Sequence, residues 1–282
     1  MSSQVYSLEL SNRVKIPCIG FGTWQTPDDG AAAAVRSAVE AGYRHIDTAS
    51  FYKNEEGVGE GIRTCGVPRE ELFITTKLWN NDHGYDRTMA AFEDSMKKLG
   101  LEYLDLYLIH WPNPKAFRDN WQEANAGSWR AMEELYAAGR VRAIGISNFR
   151  PHHIDALMRT ANVTPMVNQI RLCPGNPQDE VVSYSRKYGM VLEGYSPLGV
   201  GRVFEVPELI ALSRKYGRSI AQICLRWNVQ RGCIPLPKSV NPDRIRENLD
   251  IFDFELDEED ITLISGLTGC AGLENDPDQI PF

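Results

Sequence analysis

The sequence predicts an α/β protein in which eight strand–helix units close into one barrel. Three observations carry this prediction. Short apolar runs of strand length alternate with longer stretches whose apolar residues recur at helical spacing. No Ser/Gly-rich linker or block of like charge divides the 282 residues, so residues 1–282 read as a single domain. Polar residues able to do chemistry also fall repeatedly just past the ends of the apolar runs, where α/β barrels collect their active sites.

In chain order, residues 5–10 and 14–17, separated by Ser11-Asn12-Arg13, predict a small N-terminal β-hairpin, a candidate plug. A strand over 19–23 leads to an alanine-rich helix over 30–41, and a strand over 43–46 to a helix from about Asn54. Asp47 and Thr48 are turn and cap residues between that strand and that helix, and Glu55 and Glu56 are anionic first-turn residues. Strand 72–76 precedes helix 86–99, and strand 104–109 precedes helix 128–138 across a long loop, 111–127. Strands over 142–146, 166–170, 191–194 and 233–237 complete the eight, with helices over 179–188, 220–230 and 244–250 among them. Two extra helices, 207–216 and 258–267, stand outside the repeat.

Composition narrows the function. With 43% hydrophobic and 24% charged residues the chain reads as a globular enzyme, and its apolar runs are too short to span a membrane. The start lacks a basic segment followed by an apolar run, so a cytoplasmic address is expected. A net charge of −8 disfavours nucleic acid as a partner. Six cysteines scattered without a paired spacing predict no disulfide framework and no metal site. A monomer acting on a small molecule is the expectation.

The run Gly20-Phe21-Gly22-Thr23-Trp24-Gln25 imitates a dinucleotide-binding glycine turn, but Gln25 stands where the third glycine belongs and no acid ends the next strand at the required place. It reads as a turn at a barrel mouth. Gly57, Gly59 and Gly61 lie inside a predicted helix and carry no phosphate signal either.

Asp47, Tyr52, Lys77 and His110 follow three successive strands. Taken singly, each has an ordinary structural reading as a cap, a packed aromatic, a surface amine or a core histidine. Together they compose an acid: a phenol of ordinary pKa about 10, an ammonium favouring its phenolate, a carboxylate holding the ammonium, and an imidazole to bond the reacting oxygen.

The segments GYRHIDTASFYKNE, LFITTK, LDLYLIHWP, IGISNF, VNQI, GYSPLG and LPKSVNPDRIRENLDIFDFEL, in this order, resemble the aldo-keto reductase family, most similarly its bacterial 2,5-diketo-D-gluconate reductase-like members. The resemblance implies a (β/α)8 TIM barrel that binds NADPH without a Rossmann fold, and NADPH-dependent reduction of aldehydes or ketones. It implies Tyr52 as general acid, Asp47 and Lys77 as its tuners, and His110 as the group orienting the carbonyl. For the cofactor it implies Thr23 and Trp24 beside the nicotinamide ribose, Ser147, Asn148 and Gln169 at the carboxamide, Tyr195 stacked on the ring, and Asp47 among its further contacts. Ser196 and Leu198 fall at the pyrophosphate, Lys238, Ser239 and Arg244 at the 2′-phosphate, and Glu247 and Asn248 at the adenine, with Val240 a further cofactor contact. Lys238, Ser239 and Arg244 also form a phosphate-shaped cluster on charge grounds alone.

Trp24, Phe51, Trp79 and Trp111 are the expected apolar walls of the substrate pocket. The chain departs from the family after Gln169-Ile170, where Arg171-Leu172-Cys173 replace a usual glutamate and histidine. A short segment after Gly199 and a brief polar tail predict little apolar wall above the tryptophans, and hence small polar substrates such as dicarbonyls, keto-sugars or aryl aldehydes. Two rival readings use the same barrel: a Schiff-base lyase with Lys77 as nucleophile, and a non-catalytic redox-sensing module that only binds the cofactor.

Overall fold

The computed structural model describes residues 6–272 and 274–282; Val5, at the start of the predicted hairpin, lies outside them. Strands β1 (Ser7–Glu9) and β2 (Lys15–Pro17) pair antiparallel as that hairpin. Leu10 and Ile16 are buried in one cluster with Phe73, Leu106, Val167 and Ile234, residues at the starts of the barrel strands, so the hairpin plugs the amino-terminal end.

Eight parallel strands follow: β3 (Phe21–Gly22), β4 (His45–Asp47), β5 (Phe73–Leu78), β6 (Leu106–Ile109), β7 (Ile144–Ser147), β8 (Val167–Arg171), β9 (Val191–Tyr195) and β10 (Cys233–Leu236). Each pairs with its neighbour in sequence. Closure comes from backbone bonds of Gly20 N–H to Pro235 O, 3.0 Å, and Gly22 N–H to Pro237 O, 2.9 Å. The two glycines that imitate a nucleotide turn serve this closure. A Cβ at Gly20 would lie 2.5 Å from Leu236 Cδ2 and 2.7 Å from His45 Nδ1, and one at Gly22 would lie 3.2 Å from Leu236 O. The strands are almost continuously buried, as expected when helices cover a parallel sheet.

Helices α1 (Asp28–Ala41), α2 (Glu55–Thr64), α3 (Tyr85–Leu99) and α4 (Trp121–Ala137) sit close to their predicted places, apart from the start of α4. The glycines of α2 act as packing surfaces: a Cβ on Gly57 would meet Asp28 O at 2.1 Å and one on Gly59 would meet Leu99 O at 2.2 Å, so α1 and α3 approach its backbone directly. Glu55 is no solvated helix-start charge. It is buried, accepting from Thr76 Oγ1 at 2.7 Å and Ser95 Oγ at 3.2 Å.

The expected long loop 111–127 is largely structured. A 3₁₀ segment, Lys115–Asn120, runs into α4, which starts seven residues before the predicted boundary. Gly127, an apparent loop residue, lies inside that helix, where a side chain would press on Tyr85 N at 3.1 Å. Helix α5 (Pro151–Met158), for which periodicity gave no signal, starts on Pro151 with the ring of His153 closing its first turn. The remaining helices are α6 (Asp179–Lys187), α7 (Pro207–Tyr216), α8 (Ile220–Gln230), α9 (Pro242–Leu249) and α10 (Glu258–Ser265). The two extra helices are thus α7 and α10. Among the described residues no helix is long and apolar enough to cross a membrane.

Candidate active site

Asp47 ends β4, Lys77 is the penultimate residue of β5 and His110 follows β6, so parallel strands in register bring three side chains to one rim. Tyr52 joins them from the 3₁₀ turn Ser50–Tyr52. Ser50 Oγ donates to Lys77 O at 3.0 Å, and Asn54 Nδ2 donates to Thr23 O and Thr26 O, both at 2.9 Å, which ties that turn to the rim.

Lys77 is fully buried. Its Nζ donates to Asp47 Oδ1 at 2.7 Å, Asp47 Oδ2 at 2.8 Å and Thr48 O at 2.9 Å, and lies 3.4 Å from Tyr52 Oη. Burial is the largest single influence and works against the ammonium, but the Asp47 carboxylate together with Tyr52 and Glu193 outweighs it, and the Lys77 pKa is raised. For Tyr52 the Lys77 charge acts in the expected direction, but burial is the larger influence. Burial raises the phenol above its ordinary value and the Lys77 charge only partly offsets this, so the group stays a phenol and not a phenolate. The His110 ring crosses Tyr52 edge-on at 5.9 Å and Trp79 at 5.2 Å. Burial, then the charge on Lys77, pushes its pKa well below the ordinary value, so the imidazole is neutral near pH 7.

A second layer lies beneath. Gln169 Nε2 donates to Asp47 Oδ2 at 2.9 Å and to Glu193 Oε2 at 2.8 Å, leaving its Oε1 as the atom available to a ligand. Glu193 is fully buried, and burial followed by the Asp47 charge pushes its carboxyl up to about 8. Its Oε1 lies 3.5 Å from Nε2 of His45, whose pKa burial lowers to about 3, so this contact joins two neutral groups near pH 7 and is no ion pair. Sequence reasoning missed both. The available signal was a glutamate inside the apolar run Val191-Leu192-Glu193-Gly194-Tyr195.

One cavity of about 910 Å³ runs from these residues to the basic cluster. Its walls include all four expected aromatics, Trp24, Phe51, Trp79 and Trp111, with Phe51 stacked on Trp79 at 3.7 Å. The expectation of little apolar wall above them is corrected. Phe282 folds back against Trp79 and Trp111, each 5.7 Å away, and Val200 and Phe204 add to the same cavity.

The tail is held by named contacts: Lys115 N–H to Phe282 O at 3.2 Å, Arg118 Nη2 to Ile280 O at 2.6 Å, and His153 Nε2 to Asp278 Oδ1 at 2.9 Å. His152, His153 and Asp278 are metal-ligand types gathered within 4.8 Å. Nδ1 of His153, however, accepts the Arg150 N–H at 3.1 Å, so a neutral ring carries its proton on Nε2, where Asp278 accepts it. The ring is thereby committed to fastening the tail.

Of the expected cofactor residues, Trp24, Asp47, Asn148, Gln169, Tyr195, Ser196, Leu198, Lys238, Ser239, Arg244, Glu247 and Asn248 all line this cavity. Thr23 and Ser147 stand behind its wall, their hydroxyls given to Asp47 O at 3.0 Å and Gln169 O at 2.8 Å. Val240 is exposed and lines none of it. Tyr195 Oη donates to Asn148 Oδ1 at 2.8 Å, which fixes its ring at the carboxyl end of β9. A cleft with a stacking ring and a free amide oxygen at one end and a lysine and an arginine at the other fits an elongated phosphorylated dinucleotide.

The Aldo/keto reductase family matches residues 18–268. The chain belongs to the aldo/keto reductase family. It is 45% identical over 277 residues to a glyoxal reductase of Bacillus subtilis (strain 168), covering 98% of each chain. It is 43% identical over 274 residues to the methylglyoxal reductase DkgA of Escherichia coli (strain K12), covering 96% of this chain and 97% of that protein. A crystal structure of a Gox0644 mutant in complex with NADPH superimposes with a TM-score of 0.92 at 40% identity, covering 99% of this chain and 100% of that one. These likenesses run the length of the barrel and agree with the bacterial reductases anticipated from the motifs. This aldo/keto reductase is an oxidoreductase whose cavity joins Asp47, Tyr52 and His110, with Lys77 buried behind them, to the phosphate-shaped cluster.

Proposed function

We propose that this aldo/keto reductase reduces small aldehydes and ketones to alcohols, with Tyr52 as the proton donor and NADPH as the reductant. The observation that carries this reading is the buried chain from Tyr52 Oη to Lys77 to Asp47, opening on the same cavity as Lys238 and Arg244. When bound, NADPH supplies the hydride. Tyr52 holds the proton that the carbonyl oxygen takes as it becomes an alkoxide, and Lys77, kept charged by Asp47, stabilises the phenolate left behind. Neutral His110 directs a ring nitrogen at the same oxygen and fixes its position. Asn148 and Gln169 Oε1 orient the nicotinamide amide, with Ser147 steadying Gln169 from behind, and Tyr195 offers its ring face.

A Schiff-base role for Lys77 is disfavoured by the same geometry, since a fully buried ammonium held by three oxygens has no free amine to attack with.

Arg244 makes no side-chain hydrogen bond or ion pair within the described residues, while Asn241 Oδ1 caps the start of α9 beneath it. Charge-assisted bonds to phosphate are worth roughly 1.5–3 kcal/mol. Arg244→Ala should therefore weaken NADPH binding by about 10-fold or more and leave NADH nearly unaffected, measured by fluorescence titration. Equal losses for both cofactors would show that Arg244 does not read the 2′-phosphate.

Substrate size follows from the walls. Phe282, Trp79 and Trp111 enclose a mouth suited to small carbonyl compounds, whereas the walls beyond them are loop-borne. Burial at about 25 cal/mol per Å² rewards only what the pocket encloses. Dicarbonyls, keto-sugars and substituted benzaldehydes should be turned over with higher kcat/KM than steroid-sized ketones at saturating NADPH. A steroid ketone outperforming every small carbonyl tested would contradict this. The functional reading as a whole is tested by NADPH consumption across that panel, and a wholly flat panel would favour a module that only binds the cofactor.

A further inference from the structure

Arg171 ends β8 directly beside Tyr195, its register partner on β9, and is only 7% exposed. Its Nη2 donates to Ala271 O, while Nη1 is buried with no partner among the described residues. No carboxylate lies within ion-pair distance of the guanidinium among those residues; Glu274, on the same side, accepts instead from Gln178 Nε2 at 2.7 Å. The little of the side chain that remains accessible lines the 910 Å³ cavity. Ala271, its one anchor, packs close to Gly199, so the charge stands behind the Ser196–Gly201 loop.

A buried guanidinium satisfied by one carbonyl keeps most of its desolvation cost. An anion at the adjoining wall would relieve it, and a planar fork is suited to receive paired oxyanion oxygens. We propose that Arg171 forms an anion seat in the cavity wall between β8 and the Ser196–Gly201 loop, for an oxyanion group. Two sources carry that chemistry: the pyrophosphate of the cofactor, and a carboxylate on the carbonyl substrate. The second source rests on the reductase reading; the first does not.

Two variants separate charge from anchoring. Arg171→Gln keeps a donor for Ala271 O but removes the charge, and Arg171→Lys keeps the charge. In the first arm, NADPH and NADH are titrated against each protein without substrate. A pyrophosphate seat predicts about a 10-fold loss for both cofactors in Arg171→Gln, restored most of the way in Arg171→Lys. In the second arm, kcat/KM is compared for phenylglyoxylate and the uncharged phenylglyoxal at saturating NADPH. A carboxylate seat predicts about a 10-fold loss for the acid alone in Arg171→Gln, again recovered by lysine.

Either selective loss supports the seat and names its source. The seat is overturned if Arg171→Gln matches the parent in both arms. It is equally overturned if lysine and glutamine are impaired alike on charged and uncharged ligands, or if neither variant folds, since those results mark Arg171 as an anchor of the tail only. Absence of turnover in the parent protein would fail the reductase reading and leave the first arm to decide.

Discussion

Tyr52→Phe should lower kcat for aldehyde reduction by at least about 10²-fold, the usual contribution of a positioned general acid, with NADPH affinity nearly unchanged. The expectation comes from Tyr52 Oη being, among the described residues, the proton-bearing group that meets both the Lys77 ammonium, 3.4 Å away, and the open cavity. Phenylalanine keeps the ring against His110 and removes only the hydroxyl, so a large fall in kcat with an unchanged binding constant isolates the proton step. Stopped-flow hydride transfer and a fluorescence titration read the two quantities separately. Wild-type-like turnover in this variant would remove Tyr52 from the chemistry.

Mild acid should destabilise the protein through its buried histidines. Burial lowers His45 and His83 to about 3 and His153 to about 4, and lowers His110 as well. Each folded pKa lies below the unfolded value of about 6.5. The unfolded chain therefore binds more protons, and the stability these neutral rings contribute is complete above about pH 6.5 and lost as pH falls toward 4 and below. Each ring contributes about 1.4 kcal/mol per pH unit in that window. Glu193, Glu55 and Asp82, whose carboxyls burial raises, work in the opposite direction over the same range.

The net expectation is a loss on the order of 3 kcal/mol between about pH 6.5 and 5. Urea unfolding followed by tryptophan fluorescence at several pH values measures it. Stability that is flat or rising on acidification through that window would show that these histidines are not held neutral.

Much of the barrel was legible because a parallel strand is a local signal, a short apolar run with a polar residue at its end. Asp47, Lys77 and His110 were singled out that way, since each falls within one residue of the end of its own strand. His45 and Glu193 escaped because their meaning lies in a contact across the barrel between β4 and β9, and a lone polar residue in an apolar run has an ordinary reading. The start of α4 was misplaced because Gly127 reads as a breaker until its neighbour on Gly84-Tyr85 is known. Helix α5 has no acidic residue in its first turn to announce it, unlike α9 and α10, which are equally short. Phe282 belongs to a segment whose path is set by Arg118, His153 and Lys115, residues far from it in sequence, and no local pattern announces where such a tail returns.

Proton donation at the sequence stretch Ser50-Phe51-Tyr52 presupposes hydride delivery to a carbonyl in the same cavity, and isotope transfer tests that step most directly. NADPH deuterated at the nicotinamide carbon that gives up hydride is incubated with the protein and a small dicarbonyl, and the alcohol is examined by mass spectrometry. The account predicts one deuterium on the former carbonyl carbon for each NADPH consumed, delivered from a single face of the nicotinamide. Alcohol that forms without deuterium from either face, or no alcohol with any small carbonyl while NADPH still binds, would contradict it.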